Sequence, residues 1–267
     1  MTDRPSKFPT IRAGANFYQY NDPHDILGII ETAIFDVYGS QAIKSGYTVL
    51  DIVAGIGDFT VVASRRVRES GKVIAVEPSS EDYDCLLANI KLNGLRNVVP
   101  INAAVSDEEK EVAFEFKGRT VAKRARRLRD LLLEHNVGLD EVRFTKMDIE
   151  GVERAVVPES LDILGRCDRV AMELHDGSGA LLDPLLRAKG FIFCPLRRRD
   201  YLLRLLRFVL RHPLQARRIY AALRRARPQQ GITRLLSVLE IATGSSLVIG
   251  TYVNGSSGLG FEATRSS

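Results

Sequence analysis

The sequence predicts an α/β protein: one doubly wound, mostly parallel sheet with an antiparallel last strand and a helical, arginine-rich insertion. Two observations predict it. From Tyr47 onward, short apolar runs alternate with amphipathic stretches, the pattern of strands joined by covering helices. Gly55 and Gly57 follow the first of these runs, where a strand of such a sheet turns into its helix.

Residues 1–46 precede the alternation and are expected to form a helical extension, with Phe17, Tyr18, Tyr20, Asp22 and Asp25 ahead of the apolar stretch DILGIIETAIFDVYG. YTVLDIV (47–53) reads as the first strand, TVVASRRVRES as a helix closed by Gly71, and KVIAVEP (72–78) as the second strand. SSEDYDCLLANIKLNG is a helix with both ends marked. Ser79 and Asp82 form a capping pair, Gly94 is the C-terminal stop, and Tyr83, Leu86, Leu87 and Ile90 share an apolar face. NVVPINAAVSD supplies a third strand, EVAFEFKG an added one and RRLRDLLLEHNV a helix. VRFTKMDIE is the fourth central strand, followed by a helix around 152–164 and by DRVAMELH (168–175) as the fifth. Such regular succession favours right-handed crossovers within one sheet. GALLDPLLRAKG and GFIFCPL continue as helix and strand, and SSLVIGTYVN (245–254) is the last strand. The central domain is therefore expected over 47–254, with the insertion at 197–230 and a disordered tail at 255–267.

With 267 residues the chain is long enough to bury a large core without staples. Cys85, Cys167 and Cys194 are far apart and form no C-x-x-C pair, which suits a reducing, cytoplasmic compartment. The formal net charge of +5 is concentrated in two places. Lys123 to Arg129 reads KRARRLR, and Arg197 to Arg227 holds eleven arginines against one acid, Asp200. Clusters of this kind suit a polyanion or an anionic surface.

The chemistry is concentrated at strand ends. In VLDIVAGIGDF (49–59), Asp51, Ala54, Gly55 and Gly57 would face the crevice beyond the sheet, where glycines let a ligand approach the backbone. Glu77 ends the next strand, placed where an acid commonly accepts the ribose hydroxyls of an adenosine cofactor, and Pro78 stops that strand. Asn102 and Ala103 end the third. Thr60 stands where a nicotinamide fingerprint needs its third glycine, so a dehydrogenase reading fits poorly and S-adenosyl-L-methionine (AdoMet) fits better.

VLDIVAGIGDFT, AVEPSSEDYDCLLANIKLNG, NAAVSD, RRLRDLLLEHNV, FTKMDIEGVE and AMELH together resemble the FkbM-like methyltransferases in order and spacing over about residues 45–195. The resemblance implies a Rossmann-like class I methyltransferase fold and an AdoMet-dependent O-methyltransferase acting on a hydroxyl of a sugar, glycolipid or other small molecule. KMDIEGVE (146–153) is its most specific part. One departure stands out: the family usually has glycine at the position of Val53 and another residue at Gly55. The loop D-I-V-A-G-I-G is similar to that of some tRNA methyltransferases, and a β-branched Val53 takes a positive φ only at a cost.

Methyl transfer needs an in-line acceptor, and an alcohol acceptor gains from a base that removes its proton. Asp148 and Glu150 share a strand phase with Lys146, and His175 ends the fifth strand beside Glu173. Asp148, Glu150, His175 and Lys146 are therefore the catalytic candidates, with His175 taking the proton. The acids match no specific ligand spacing, and no metal is expected.

In the insertion, Leu202, Leu205, Leu206 and Val209 follow helical spacing opposite Arg204, Arg207 and Arg211, and Pro213 ends that helix. A second helix follows with Arg217, Arg218, Arg224 and Arg225 on its basic side. Such helices suit an anionic membrane surface, reached through Arg197–Arg227, or a face packed on the sheet. RNA is the weaker partner, because Tyr201, Phe208 and Tyr220 sit at helical spacing instead of interleaving with the cations. An RNA methyltransferase is accordingly the second reading, and a non-catalytic membrane- or nucleic-acid-binding module is the third.

Overall fold

The computed structural model describes residues 7–116, 118–149, 152–175, 177–195, 198–226 and 248–255. The chain opens with a hairpin, β1 (Thr10–Ala13) and β2 (Asn16–Gln19), before α1 (Asp25–Ile30) continues into a π-helical turn at Glu31–Phe35. The extension is thus only partly helical. Ile11, Ala13 and Tyr18 are buried, so a short alternating pattern made the strands, and Gly14 turns between them at φ 63°.

The central alternation follows as β3 (Thr48–Ile52), α2 (Asp58–Val67), β4 (Lys72–Val76), α3 (Ser80–Leu92) and β5 (Val98–Ile101). Then come β6 (Ala104–Val105), β7 (Lys110–Phe116), β8 (Arg119–Arg126), α4 (Leu128–Glu134), β9 (Val142–Met147), α5 (Glu153–Glu159), α6 (Leu161–Leu164) and β10 (Arg169–Leu174). The chain continues with α7 (Ser178–Ala188), β11 (Phe191–Pro195), α8 (Arg198–Arg211), α9 (Pro213–Ala226) and β12 (Val248–Asn254).

Among the described residues, the main sheet has seven strands in the order β11-β12-β10-β9-β3-β4-β5. β3, β4, β5, β9 and β10 are parallel, and β12 runs antiparallel to both β10 and β11. This is the class I methyltransferase form of the Rossmann-like fold, with the antiparallel last strand inserted beside β10. Every residue of β3 is buried, as expected of a central strand covered on both faces. One face packs Tyr18, Phe35, Phe59 and Phe144 beneath α2 and the N-terminal extension; the other packs Leu50, Ile74, Met147, Met172 and Tyr252.

Several local expectations change. The basic run before α4 is a strand, β8, paired with β7 so that Arg124 lies opposite Glu111. Its alternating polar residues need no buried face and gave no apolar signal. In α3, Ser79 Oγ accepts the Asp82 N–H at 3.3 Å and Gly94 takes φ 61°, as the end signals require. Leu87, however, is 40% exposed, and Cys85 and Asn89 are buried in its stead, because the N-terminal hairpin covers that side. As expected, α8 stops just before Pro213, at Arg211; Pro213 is itself the first residue of α9, where its missing N–H costs nothing. Residues 227–247 of the basic segment and of the approach to the last strand, and the expected tail from 256, lie outside the described residues.

Candidate active site

The strand order reverses between β3 and β9, which opens a crevice at their carboxyl ends. Asp51 and Lys146 are register partners there. The Asp51 side chain is fully buried; Oδ2 accepts from Thr60 Oγ1 at 2.5 Å, while Oδ1 has no hydrogen bond and lies 3.4 Å from Lys146 Nζ. Lys146 Nζ donates to the Val53 carbonyl at 2.7 Å and sits 5.4 Å from the centre of the Tyr38 ring. Burial opposes the ammonium's charge, but Asp51, Asp148, Asp58 and Glu173 outweigh it and hold Lys146 above its ordinary value. The sequence places Lys146 among catalytic groups; its contacts are those of a buried counter-charge.

Val53 adopts φ 57°, the left-handed conformation that a β-branched residue takes only at a cost of roughly 1–2 kcal/mol. That turn aims its carbonyl at Lys146 Nζ, and the bond offsets part of the strain. Two residues on, Gly55 takes φ 55°, and a Cβ built there would meet nothing within 4 Å. The crevice is open at this point, as close approach of a ligand requires. Gly57, with φ 85°, would push a Cβ to 2.4 Å from Leu86 Cδ1, so glycine is needed there for both space and conformation.

Glu77 is buried at the end of β4. Its Oε2 accepts the Gly55 N–H and its Oε1 the Ser79 N–H, each at 2.7 Å, so the acid ties the glycine loop to the start of α3. Burial pushes its carboxyl up to about 8. Asn102 Nδ2 donates to the Glu77 carbonyl at 2.8 Å and to that of Pro78 at 3.4 Å, while its Oδ1 receives Lys123 Nζ at 2.5 Å. Ala54 and Ala103 are buried beside this loop. The orphaned Asp51 Oδ1, the open space at Gly55 and the acid at Glu77 fit an adenosine-bearing, cationic cofactor: carboxylates for its hydroxyls and charge, backbone for its edges.

The acceptor side is built by β9, β10 and the extension. Asp148 follows β9 directly, and ligand atoms of Asp148, Glu173 and His175 lie within 4.8 Å of one another, near enough to share a cation. Tyr38 Oη donates to Glu173 Oε1 at 2.9 Å, and His175 Nε2 lies 3.9 Å from Glu173 Oε2. The other imidazole nitrogen, Nδ1, is 2.5 Å from Oε1 of the fully buried Glu153. Burial opposes the charge on His175, but Glu153, Asp148 and Glu173 outweigh it and hold the imidazole above its ordinary value. Burial and then Asp148 push Glu173 up to about 7. Glu150 lies outside the described residues.

Three members of this site were not singled out by sequence reasoning. Glu31, in the π-helical turn, is pushed up to about 8 by burial and then by Glu173, Asp58 and Asp148. Asp58, the first residue of α2, is pushed up to about 6 by burial and accepts Thr32 Oγ1 at 3.0 Å. Tyr38 completes the set. The only sequence signal was an acid, Glu31, in the middle of an apolar helix.

Comparison with known proteins adds to this geometry. Residues 39–131 match the family model of the TRM5/TYW2 methyltransferase domain. No curated protein sequence matches the chain. Among solved structures, TYW2 of M. jannaschii in complex with AdoMet is similar at 13% identity and TM-score 0.45, covering 94% of this chain and 86% of that one. Trm5b from Pyrococcus abyssi (16%, 0.41) covers 72% and 51%, and a SAM-dependent methyltransferase from Aquifex aeolicus (17%, 0.40) covers 67% and 93%. The chain carries an AdoMet-dependent methyltransferase domain of class I. The FkbM-like resemblance is corrected by the family match: residues 39–131 are similar to the TRM5/TYW2 methyltransferase domain instead, and they end before KMDIEGVE, on which the resemblance chiefly rested. The loop geometry agrees with that correction, since left-handed Val53 and glycines at 55 and 57 differ from the FkbM-like arrangement. Among the described residues no helix is long and apolar enough to cross a membrane.

Proposed function

We propose that this protein methylates RNA, most simply a tRNA, using AdoMet held between the β3–α2 loop and Glu77. The observation that carries this reading is the match of residues 39–131 to the TRM5/TYW2 domain, because those residues include Asp51, the glycine loop, Glu77 and Asn102. The small-molecule O-methyltransferase expectation loses its support with the FkbM-like resemblance.

Bound AdoMet supplies an electrophilic methyl group on a positively charged sulfur. The chain's own work is positioning and proton handling. An amide-type ring nitrogen or a hydroxyl of a nucleoside gives up a proton when methylated, and Glu173, with its carboxyl near 7, is matched to accept it at neutral pH. Tyr38 fixes one oxygen of Glu173, leaving the other, Oε2, to face the acceptor and His175. Glu153 raises the His175 titration, so the imidazole holds its proton more tightly than an ordinary histidine, and the ring steadies the carboxylates around it. Lys146 and Asp51 form a fixed floor that reorganises little during the reaction.

The test is transfer of labelled methyl from AdoMet into separated RNA, lipid and glycan fractions, with Glu77→Ala and Glu173→Gln as controls. The reading requires ribonuclease-sensitive label of tRNA size that both variants lose. Label confined to lipid or glycan would overturn the acceptor class.

A further inference from the structure

The two basic clusters of the sequence have different fates. In the first, Arg124 and Arg126 pair with Glu109, Arg126 also with Glu134, Arg127 with Asp130, and Arg129 with Asp162. Its charge is spent inside the fold. In α8, by contrast, Arg207 and Arg211 are exposed and have no ion-pair partner among the described residues.

At 100° per residue, α8 divides into three arcs. One arc is packed: Leu205 and Phe208 lie against the core formed with the N-terminal extension, and Arg204 donates to the carbonyls of Phe35 and, at 2.7 Å, Asp36. A second arc is apolar and bare, with Leu202, Leu203, Leu206, Val209 and Leu210 exposed to 45, 50, 55, 40 and 72%. Leu214, near the start of α9, is exposed as well, at 73%. The third arc carries Arg207 and Arg211, directly beside the apolar one. A surface helix needs a single apolar stripe to dock, and here that need is already met. A second contiguous stripe of leucines marks a site of contact, and its basic flank selects a negatively charged partner.

We infer that α8 docks the protein on an anionic lipid bilayer surface, with the Leu202–Leu210 arc entering the acyl boundary and Arg207 and Arg211 meeting lipid phosphates. Charge complementarity decides for lipid: residues 197–227 hold eleven arginines and one acid, and an anionic leaflet offers phosphates to the cations and acyl chains to the leucines at the same boundary. Phosphates of RNA would engage the arginines but give the leucines nothing to bury against. The inference does not depend on the acceptor, and it is consistent with a helix too short and too basic to span the membrane. Docking would also fix the extension above the site, since Arg204 holds Asp36 two residues from Tyr38, which reaches Glu173.

The experiment is co-sedimentation of the full chain with phosphatidylcholine vesicles, with and without phosphatidylglycerol, for wild type, Leu206→Ser/Leu210→Ser and Arg207→Ala/Arg211→Ala. All four substituted positions are exposed, and unchanged AdoMet binding verifies each fold. Wild type should partition onto the anionic vesicles. The leucine pair should weaken partitioning by about ten-fold per residue, as expected for side chains withdrawn from an apolar phase. The arginine pair should weaken it about five-fold per charge, and only on anionic vesicles. Absence of wild-type partitioning, or equal partitioning by the leucine pair, overturns the inference. So does a wild-type dimer that the leucine pair dissociates without loss of vesicle binding, or binding of RNA that needs the arginines while vesicles bind nothing.

Discussion

Glu153 and His175, at the start of α5 and just beyond β10, share a 2.5 Å contact between Oε1 and Nδ1, with the carboxylate fully buried behind the ring. The pair sets which imidazole nitrogen faces Glu173 and raises the titration of the ring. Glu153→Gln should therefore let the His175 titration, followed by NMR, fall toward its ordinary value, because burial is then opposed only by Asp148 and Glu173. Methyl transfer should drop roughly ten- to a hundred-fold, the equivalent of one charge-assisted hydrogen bond, with little change in AdoMet affinity. An unmoved His175 titration would show that the contact does not govern the ring.

Glu173 gives the site a pH signature. A base that must be ionised to work, with a carboxyl at about 7, makes the rate rise with pH through that value and then level off. Glu173→Gln should abolish the rise and lower kcat by about 10²–10⁴-fold. Tyr38→Phe provides the sharper test. The Tyr38 hydrogen bond lowers the Glu173 titration, so its loss should shift the midpoint of the pH–rate profile upward while leaving the plateau within reach. A downward shift would assign the profile to another group.

The sheet was legible because its strands are buried on both faces and read as continuous apolar runs, and because Gly55, Gly57 and Glu77 mark the crevice by their spacing alone. What escaped had no such pattern. β8 presents mostly exposed polar side chains, and the β1–β2 hairpin is too short for periodicity to show. The acceptor site is assembled across sequence distance: Tyr38 and Glu173 are 135 residues apart, and only the fold tells that the extension reaches β10. The family resemblance misled for a related reason. A short acidic motif at a strand end serves many acceptors, whereas the departure at Val53 and Gly55 spans only two residues, and the left-handed conformation behind it shows only in the fold.

Lys146 supplies the strongest stability prediction. It is the only cation whose ammonium is placed against Asp51 in the described structure, and Asp51 is fully buried with one oxygen lacking a hydrogen bond. Lys146→Met removes one partner of a buried pair and leaves the other charge uncompensated, which typically costs about 3–5 kcal/mol. Urea denaturation should show this loss, and the double variant Lys146→Met/Asp51→Asn should recover part of it. Because the Lys146 titration is raised on folding, its contribution is complete throughout the neutral range and is lost only as pH climbs through the folded value, above the lysine's ordinary one. A single variant as stable as wild type would mean that the Lys146–Asp51 pair contributes nothing to stability.

Glu31 predicts the opposite dependence on pH. Its carboxyl stands at about 8 in the folded protein against 4.5 ordinarily, so between those values the folded chain keeps a proton that the unfolded chain releases. The unfolded state then binds fewer protons, and stability must fall as pH rises through this window. Glu31→Gln removes the titration while preserving shape. At pH 5 wild type and variant should melt at similar temperatures, and at pH 8 the variant should melt higher, by ~2–4 °C for each kcal/mol of stability the wild type loses in a domain of this size. Glu77, also raised to about 8, continues to titrate in both proteins and cancels in the comparison. Equal melting temperatures at both pH values would mean that the fold does not raise the Glu31 carboxyl.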